Sequence, residues 1–131
     1  IELAKEHGTK RGIKLPVSAP FHCSLMQPAA DRMAEALQET PPAAFAVPLY
    51  ANVTAARVTD PHEERELLVQ QVTGRVRWRE SVLAMVEGGG VEQFVELGGK
   101  VLGPMVGRIA PDATTTSLVT MDDLEAFAKE V

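Results

Sequence analysis

Short apolar or β-branched runs alternate along this chain with longer stretches of helical periodicity, and Pro or Gly stands at nearly every switch. Two runs show the alternation most clearly. Val91 to Leu97 has strand length and leads into Gly98-Gly99-Lys100, a short helical stretch follows over Val101 to Ile109, and Thr114 to Val119 is again β-branched. No Asn-Gly pair joins neighbouring strands, so the pattern predicts an α/β layer fold with a mostly parallel sheet. Lys14 to Ser18 and Ala46 to Asn52 are the two further predicted strands.

The helical stretches carry their own stop and start signals. Residues 1–10 read as the end of an amphipathic helix that runs out near Gly8. Leu25, Met26, Ala29, Met33, Ala36 and Leu37 recur on one face, and Ser24 with Gln27 has the form of a capping box, so a helix is predicted from about Leu25. Pro41 and Pro42 end it. Asp60-Pro61-His62-Glu63 supplies an N-cap acceptor and a first-turn Pro for a helix bearing Leu67, Leu68 and Val72 that stops near Gly74. Arg77 to Glu87 is predicted helical with Trp78, Val82, Met85 and Val86 inward, closed by Gly88-Gly89-Gly90. Thr120 caps a last helix with Leu124, Phe127 and Ala128 inward.

Composition narrows the function classes. With 131 residues, 45% apolar and 24% charged, the chain is long enough for one modest domain and has none of the bias of a disordered tail. Its net charge of −5 gives no general attraction for nucleic acid, and one Trp and one Tyr are too few for a stacking surface. A single Cys excludes an internal disulfide and argues against a Cys-based metal cage. No apolar run approaches the roughly 18–20 residues of a membrane span. A cytoplasmic protein without nucleic-acid or membrane partners is expected. The opening at Ile1 is expected to be a cut through something longer.

Of the three His, His7 and His62 read as exposed helix-surface residues. His22 differs, because it lies in a loop between a predicted strand and a predicted helix, where α/β folds build sites. A neutral imidazole there can serve as a general base, although a structural His fits the same spacing. Cys23 reads as a small buried thiol rather than a nucleophile. Gly98-Gly99-Lys100 before a helix could hold an anion or be a plain strand-to-helix turn. Arg75, Arg77 and Arg79 around Trp78 could face an acidic partner or be a solvated face.

Residues 15–37, LPVSAPFHCSLMQPAADRMAEAL, resemble the histidine segment of malonyl-CoA:acyl carrier protein transacylases. Three further blocks follow in the family's order: VPLYANVT at 47–54, LVQQVTGRVRW at 68–78 and FVELGGKVLGPMVGRI at 94–109. The resemblance implies ping-pong transfer of malonyl from malonyl-CoA to the phosphopantetheine thiol of acyl carrier protein in fatty acid biosynthesis, with no bound cofactor. It makes His22 the catalytic base, gives the main-chain carbonyl of Gln71 the task of orienting it, and places Phe21 at the acyl group as a substrate-binding residue favouring malonyl. It further implies an α/β-hydrolase-like large subdomain over 18–131 and the end of a ferredoxin-like small subdomain over 1–17. Two departures stand out: the family's Gly-Pro-Gly-Lys is one residue shorter at Gly98-Gly99-Lys100, and Arg75 replaces its usual Pro.

No Gly-x-Ser-x-Gly nucleophile elbow occurs in the sequence. The expectation is therefore the C-terminal part of an acyltransferase, inactive alone, whose missing N-terminal part is a partner. The alternatives are a non-catalytic module that binds carrier protein and a purely structural α/β domain.

Overall fold

The computed structural model describes residues 1–14 and 16–130. Among the described residues ten α-helices and β-strands follow one another: α1 (Glu2–Glu6), α2 (Gln27–Glu39), β1 (Leu49–Ala51), β2 (Ala56–Val58), α3 (Pro61–Thr73), α4 (Trp78–Glu87), β3 (Gln93–Leu97), α5 (Leu102–Ile109), β4 (Thr114–Leu118) and α6 (Met121–Phe127). The α/β class holds, and the helices after residue 60 begin and end close to where local signals place them. Asp60 accepts from the His62 amide at 2.9 Å with Pro61 in the first turn. Thr120 and Asp123 form a reciprocal capping box at the start of α6.

Strand pairing differs from expectation. β3 and β4 are parallel, in register from Gln93↔Thr114 to Leu97↔Leu118, with α5 as the crossover. β1 and β2 instead form an antiparallel hairpin, Leu49↔Val58 to Ala51↔Ala56, so the described strands make two two-stranded sheets rather than one mostly parallel sheet. The hairpin carries no glycine signal. Ala55 takes the left-handed conformation at φ 56°, at a cost of about 1–2 kcal/mol for an L-residue. The turn is held from outside: Arg77 Nη1 donates to Thr54 O at 2.8 Å, and the Arg77 amide donates to Asn52 O at 3.3 Å.

Two other expectations fail locally. The described residues of Lys14 to Ser18 form no strand, since no neighbouring strand is present to bond them; Leu15 lies outside the described residues. Ser24 does not cap α2. A single 3₁₀ turn over Ser24–Met26 precedes that helix, whose N-terminal residues receive no side-chain cap. Gln27 donates to Asp31 at 2.8 Å instead of reaching back.

Burial is divided between two small clusters. Ala51, Val58 and Leu67 join Phe45, Leu49 and Val53 under the hairpin, while Val82, Val106 and Ala110 join Trp78, Val86 and Phe94 under the parallel pair. Other apolar faces lie open. On β3, Phe94 packs inward while Leu97 on the opposite face is 70% exposed. Helix α2 buries only Ala30, and Leu25 and Met33 of its predicted inner face are exposed. The last helix half-buries Phe127 and leaves Leu124 and Ala128 exposed. The accessible area is 9725 Å², whereas a compact monomer of 14.1 kDa exposes about 6,700 Å². Parallel sheets are normally covered on both faces, so the excess marks surface shaped to be covered.

Candidate active site around His22

The segment from Ser18 to Ser24 has no regular backbone pairing, and short local bonds shape it. The Phe21 amide donates to Ala19 O at 3.0 Å, the Cys23 thiol donates to Pro20 O at 3.0 Å, and the Met26 amide donates to Cys23 O at 3.0 Å. His22 sits between these contacts with φ 57°, one of two non-glycine residues in the left-handed region among those described. Such a conformation is sparsely populated and clusters at sites where surroundings over-determine it.

The surrounding group is on α3. His22 Nδ1 lies 3.0 Å from the main-chain carbonyl oxygen of Gln71, 49 residues away in sequence. A carbonyl can only accept, so Nδ1 carries the proton in this bond and Nε2 of the neutral ring holds the lone pair. Gln71 O is available because it belongs to the last turn of α3, whose final carbonyls have no partner within the helix. The Gln71 side chain stays beside the ring, with Nε2 donating to Gly74 O at 3.1 Å and standing 3.5 Å from His22 Nδ1. The arrangement presents a fixed imidazole with one basic nitrogen and an adjacent neutral dipole. The ring is oriented by a main-chain acceptor, and among the described residues no carboxylate bonds to it.

Phe21 precedes His22 and is 56% exposed. Cys23 is half-buried rather than buried, and its thiol serves as a turn donor to Pro20 O. The described residues contain no group of three or more His, Cys, Asp or Glu placed to hold a metal ion. Among the described residues no helix is long and apolar enough to cross a membrane.

At the start of α5 the open alternatives resolve against an anion site. Glu96 Oε1 accepts from the amides of Val101 at 2.9 Å and Leu102 at 3.0 Å, and Oε2 accepts from Gly103 at 2.8 Å. The bonds from Gly103, Leu102 and Val101, in that order of weight, hold the Glu96 carboxyl below its usual range. The helix N-terminus is thus occupied by the chain's own carboxylate. Gly98 allows this with φ 82°, so the turn after β3 can fold back within two residues. Sequence reasoning missed Glu96; an acidic side chain five to seven residues ahead of a helix's first amides was the available signal.

The arginines divide as well. Arg77 is half-buried and clamps the hairpin turn, while Arg75 and Arg77 both approach Glu80, at 3.6 and 3.5 Å. Arg79 is exposed. The Glu80 carboxyl is held low, first by its backbone hydrogen bond and then by Arg77.

No protein-family model matches the chain. Malonyl CoA-acyl carrier protein transacylase of Bacillus subtilis is 38% identical over 125 residues, which is 95% of this chain and 39% of the relative. The crystal structure of an acyl-carrier-protein S-malonyltransferase from Bartonella henselae superposes with a TM-score of 0.88 at 45% identity, covering 98% of this chain and 41% of that one. This chain is a homologue of the C-terminal portion of malonyl CoA-acyl carrier protein transacylases. A transacylase bound to a type II polyketide synthase acyl carrier protein also superposes, with a TM-score of 0.89 at 32% identity over 99% of this chain and 42% of that one. The chain therefore spans about two fifths of the length of the transacylases it matches.

Proposed function

We propose that the protein to which this chain belongs is a malonyl-CoA:acyl carrier protein S-malonyltransferase of fatty acid biosynthesis, acting in the cytoplasm. The observation that carries this reading is the His22 ring held through Nδ1 by Gln71 O at 3.0 Å, with Nε2 left as the basic atom. The homology over nearly the whole chain supports it.

In this reading the nucleophile is a Ser on a Gly-x-Ser-x-Gly elbow in the portion preceding residue 1. His22 Nε2 takes the Ser proton as Oγ attacks the thioester carbonyl of malonyl-CoA, and returns it to the departing CoA sulfur. The acyl-enzyme then meets the phosphopantetheine thiol of acyl carrier protein. His22 takes the thiol proton, the sulfur attacks the ester carbonyl, and the proton goes back to Ser as its oxygen leaves. Proton transfers and thioester exchange balance without a cofactor. Gln71 O stabilises the imidazolium formed at each step by its dipole, and Phe21 borders the acyl group. Residues 18–131 belong to an α/β-hydrolase-like large subdomain and residues 1–17 end a ferredoxin-like small one. The exposed faces of α2 and β3 are the surfaces that the missing part covers.

Among the described residues the His22 ring bonds only to Gln71, and no Ser, Thr or Cys side chain bonds to it within the roughly 2.6–3.2 Å that general-base help requires. Ser24 is used at the 3₁₀ turn before α2 and has no elbow geometry. The test is malonyl-CoA with carrier protein, supplied to the complete protein and to this chain separately, with mass spectrometry of the acyl adduct. Transfer by the complete protein and no adduct on residues 1–131 are expected. A stoichiometric malonyl ester on this chain would overturn the reading.

A further inference from the structure

Glu64 is a buried carboxylate that the mechanism above does not use. It lies on α3 two helical turns before Gln71, its residue is only 6% exposed, and its Oε2 has no hydrogen-bond partner. Burial first and the neighbouring Glu63 second push its carboxyl up from the ordinary value of 4.5. No described Lys, Arg or His pairs with it. A carboxyl in such surroundings is costly unless something answers it.

The same face of α3 carries a second unanswered acceptor. Gln71 Oε1 is buried without a partner, its amide nitrogen being committed to Gly74 O. Glu64, Leu67, Leu68 and Gln71 form one wall of an open cavity of about 240 Å³, and the strand and turn residues Leu49 to Val53 form the other. Both unpartnered buried atoms on this wall are acceptors. The cavity is apolar at Leu67 and Leu68 and negative at Glu64, which is the complement of an aliphatic stem ending in a cation.

We propose that this cavity receives an Arg or Lys side chain from the portion of the protein preceding residue 1, with its charge on Glu64. The proposal rests on the reading of this chain as the C-terminal part of a longer transacylase. Two further observations favour that occupant over bulk water or a free ligand. The surface exceeds that of a compact monomer of this mass by roughly 3,000 Å², and the matched relatives extend well beyond this chain. The pair would lock the N-terminal portion to the helix that supplies Gln71 O, seven residues from the ion pair.

The complete protein, labelled with ¹³C at the Glu carboxyl carbons, tests this by NMR titration of Glu64, assigned through the backbone and checked by its absence in Glu64→Gln. A midpoint below 4.5 is expected in the complete protein. Neutralising the contributing Arg or Lys to Ala should return it above that value, a readout that needs no Glu64 variant to fold. A midpoint at or above 4.5 in the wild-type complete protein overturns the proposal, and is the result if the cavity holds only water. Malonyl transfer is measured on the same sample. Transfer with a raised midpoint leaves the enzyme reading standing and removes the ion pair, and a lowered midpoint without transfer does the reverse.

Discussion

The loop before α2 and the turn before α5 solve the same problem in opposite ways. Each leads from irregular chain into a helix whose first amides need partners. At α5 the chain supplies the partner itself: Glu96 takes three amides at 2.8 to 3.0 Å. At α2 no side chain caps the helix, and the preceding residues spend their bonds on shaping a turn that holds His22 in a left-handed conformation against Gln71. The α5 turn is satisfied from within and presents nothing. The α2 loop is satisfied by a carbonyl from another helix and keeps a basic nitrogen outward. A chemical site is the place where local satisfaction was given up.

The comparison can be broken at its functional end. In the complete protein, His22→Ala should lower malonyl transfer by about 10²–10⁴-fold, the range for positioned acid–base help. A near wild-type rate in a steady-state assay would make the strained loop a structural curiosity.

At the other end, Glu96→Gln should lower the melting temperature by several degrees and leave transfer largely intact, since Gln offers one acceptor oxygen where the carboxylate uses two, and the bonds that remain lose their charge assistance. Acid should act in the same direction. The Glu96 carboxyl titrates lower when folded than when unfolded, so its contribution is fully present above the unfolded value and is lost as pH falls through the folded one. Asp123, held low by the Thr120 and Val119 amides, behaves likewise. Thermal melts of wild type and Glu96→Gln should therefore converge in part on acidification. A constant gap would mean that the carboxylate's charge is not what holds the turn.

Phe21→Ser sharpens the comparison within the loop itself. Making room for one methyl is worth only about 1–3 kcal/mol in a pocket, so competition between malonyl-CoA and methylmalonyl-CoA should shift modestly toward the latter. An unchanged ratio would detach Phe21 from the acyl group.

The smallest effect is expected at Gln71→Ala. The acceptor for His22 is a main-chain oxygen, which any residue provides while α3 stays folded. Most of the transfer rate should survive. A loss as deep as that of His22→Ala, with circular dichroism unchanged, would assign the role to the side chain, whose Nε2 stands 3.5 Å from Nδ1.

Much of this molecule was settled by the sequence acting over four or five residues at a time. Asp60 with Pro61, Thr120 with Asp123, and the glycines at 74 and 88 set helix ends wherever they occur, because capping is a contact between near neighbours. Motif order also made His22 and Gln71 readable as a pair. Distance in the chain hid the rest. The β1–β2 turn puts Ala55 at positive φ because Arg77, 23 residues beyond Thr54, holds the turn's carbonyl. Glu96 closes α5 because Gly98 folds the chain back. The apolar stripe of α2 promised burial that only a covering layer can give, so Leu25 and Met33 stand exposed here. Local propensity fixes where an element starts and stops. Which strand pairs, which carboxylate is buried and which imidazole meets a carbonyl are decided by what the fold brings beside them.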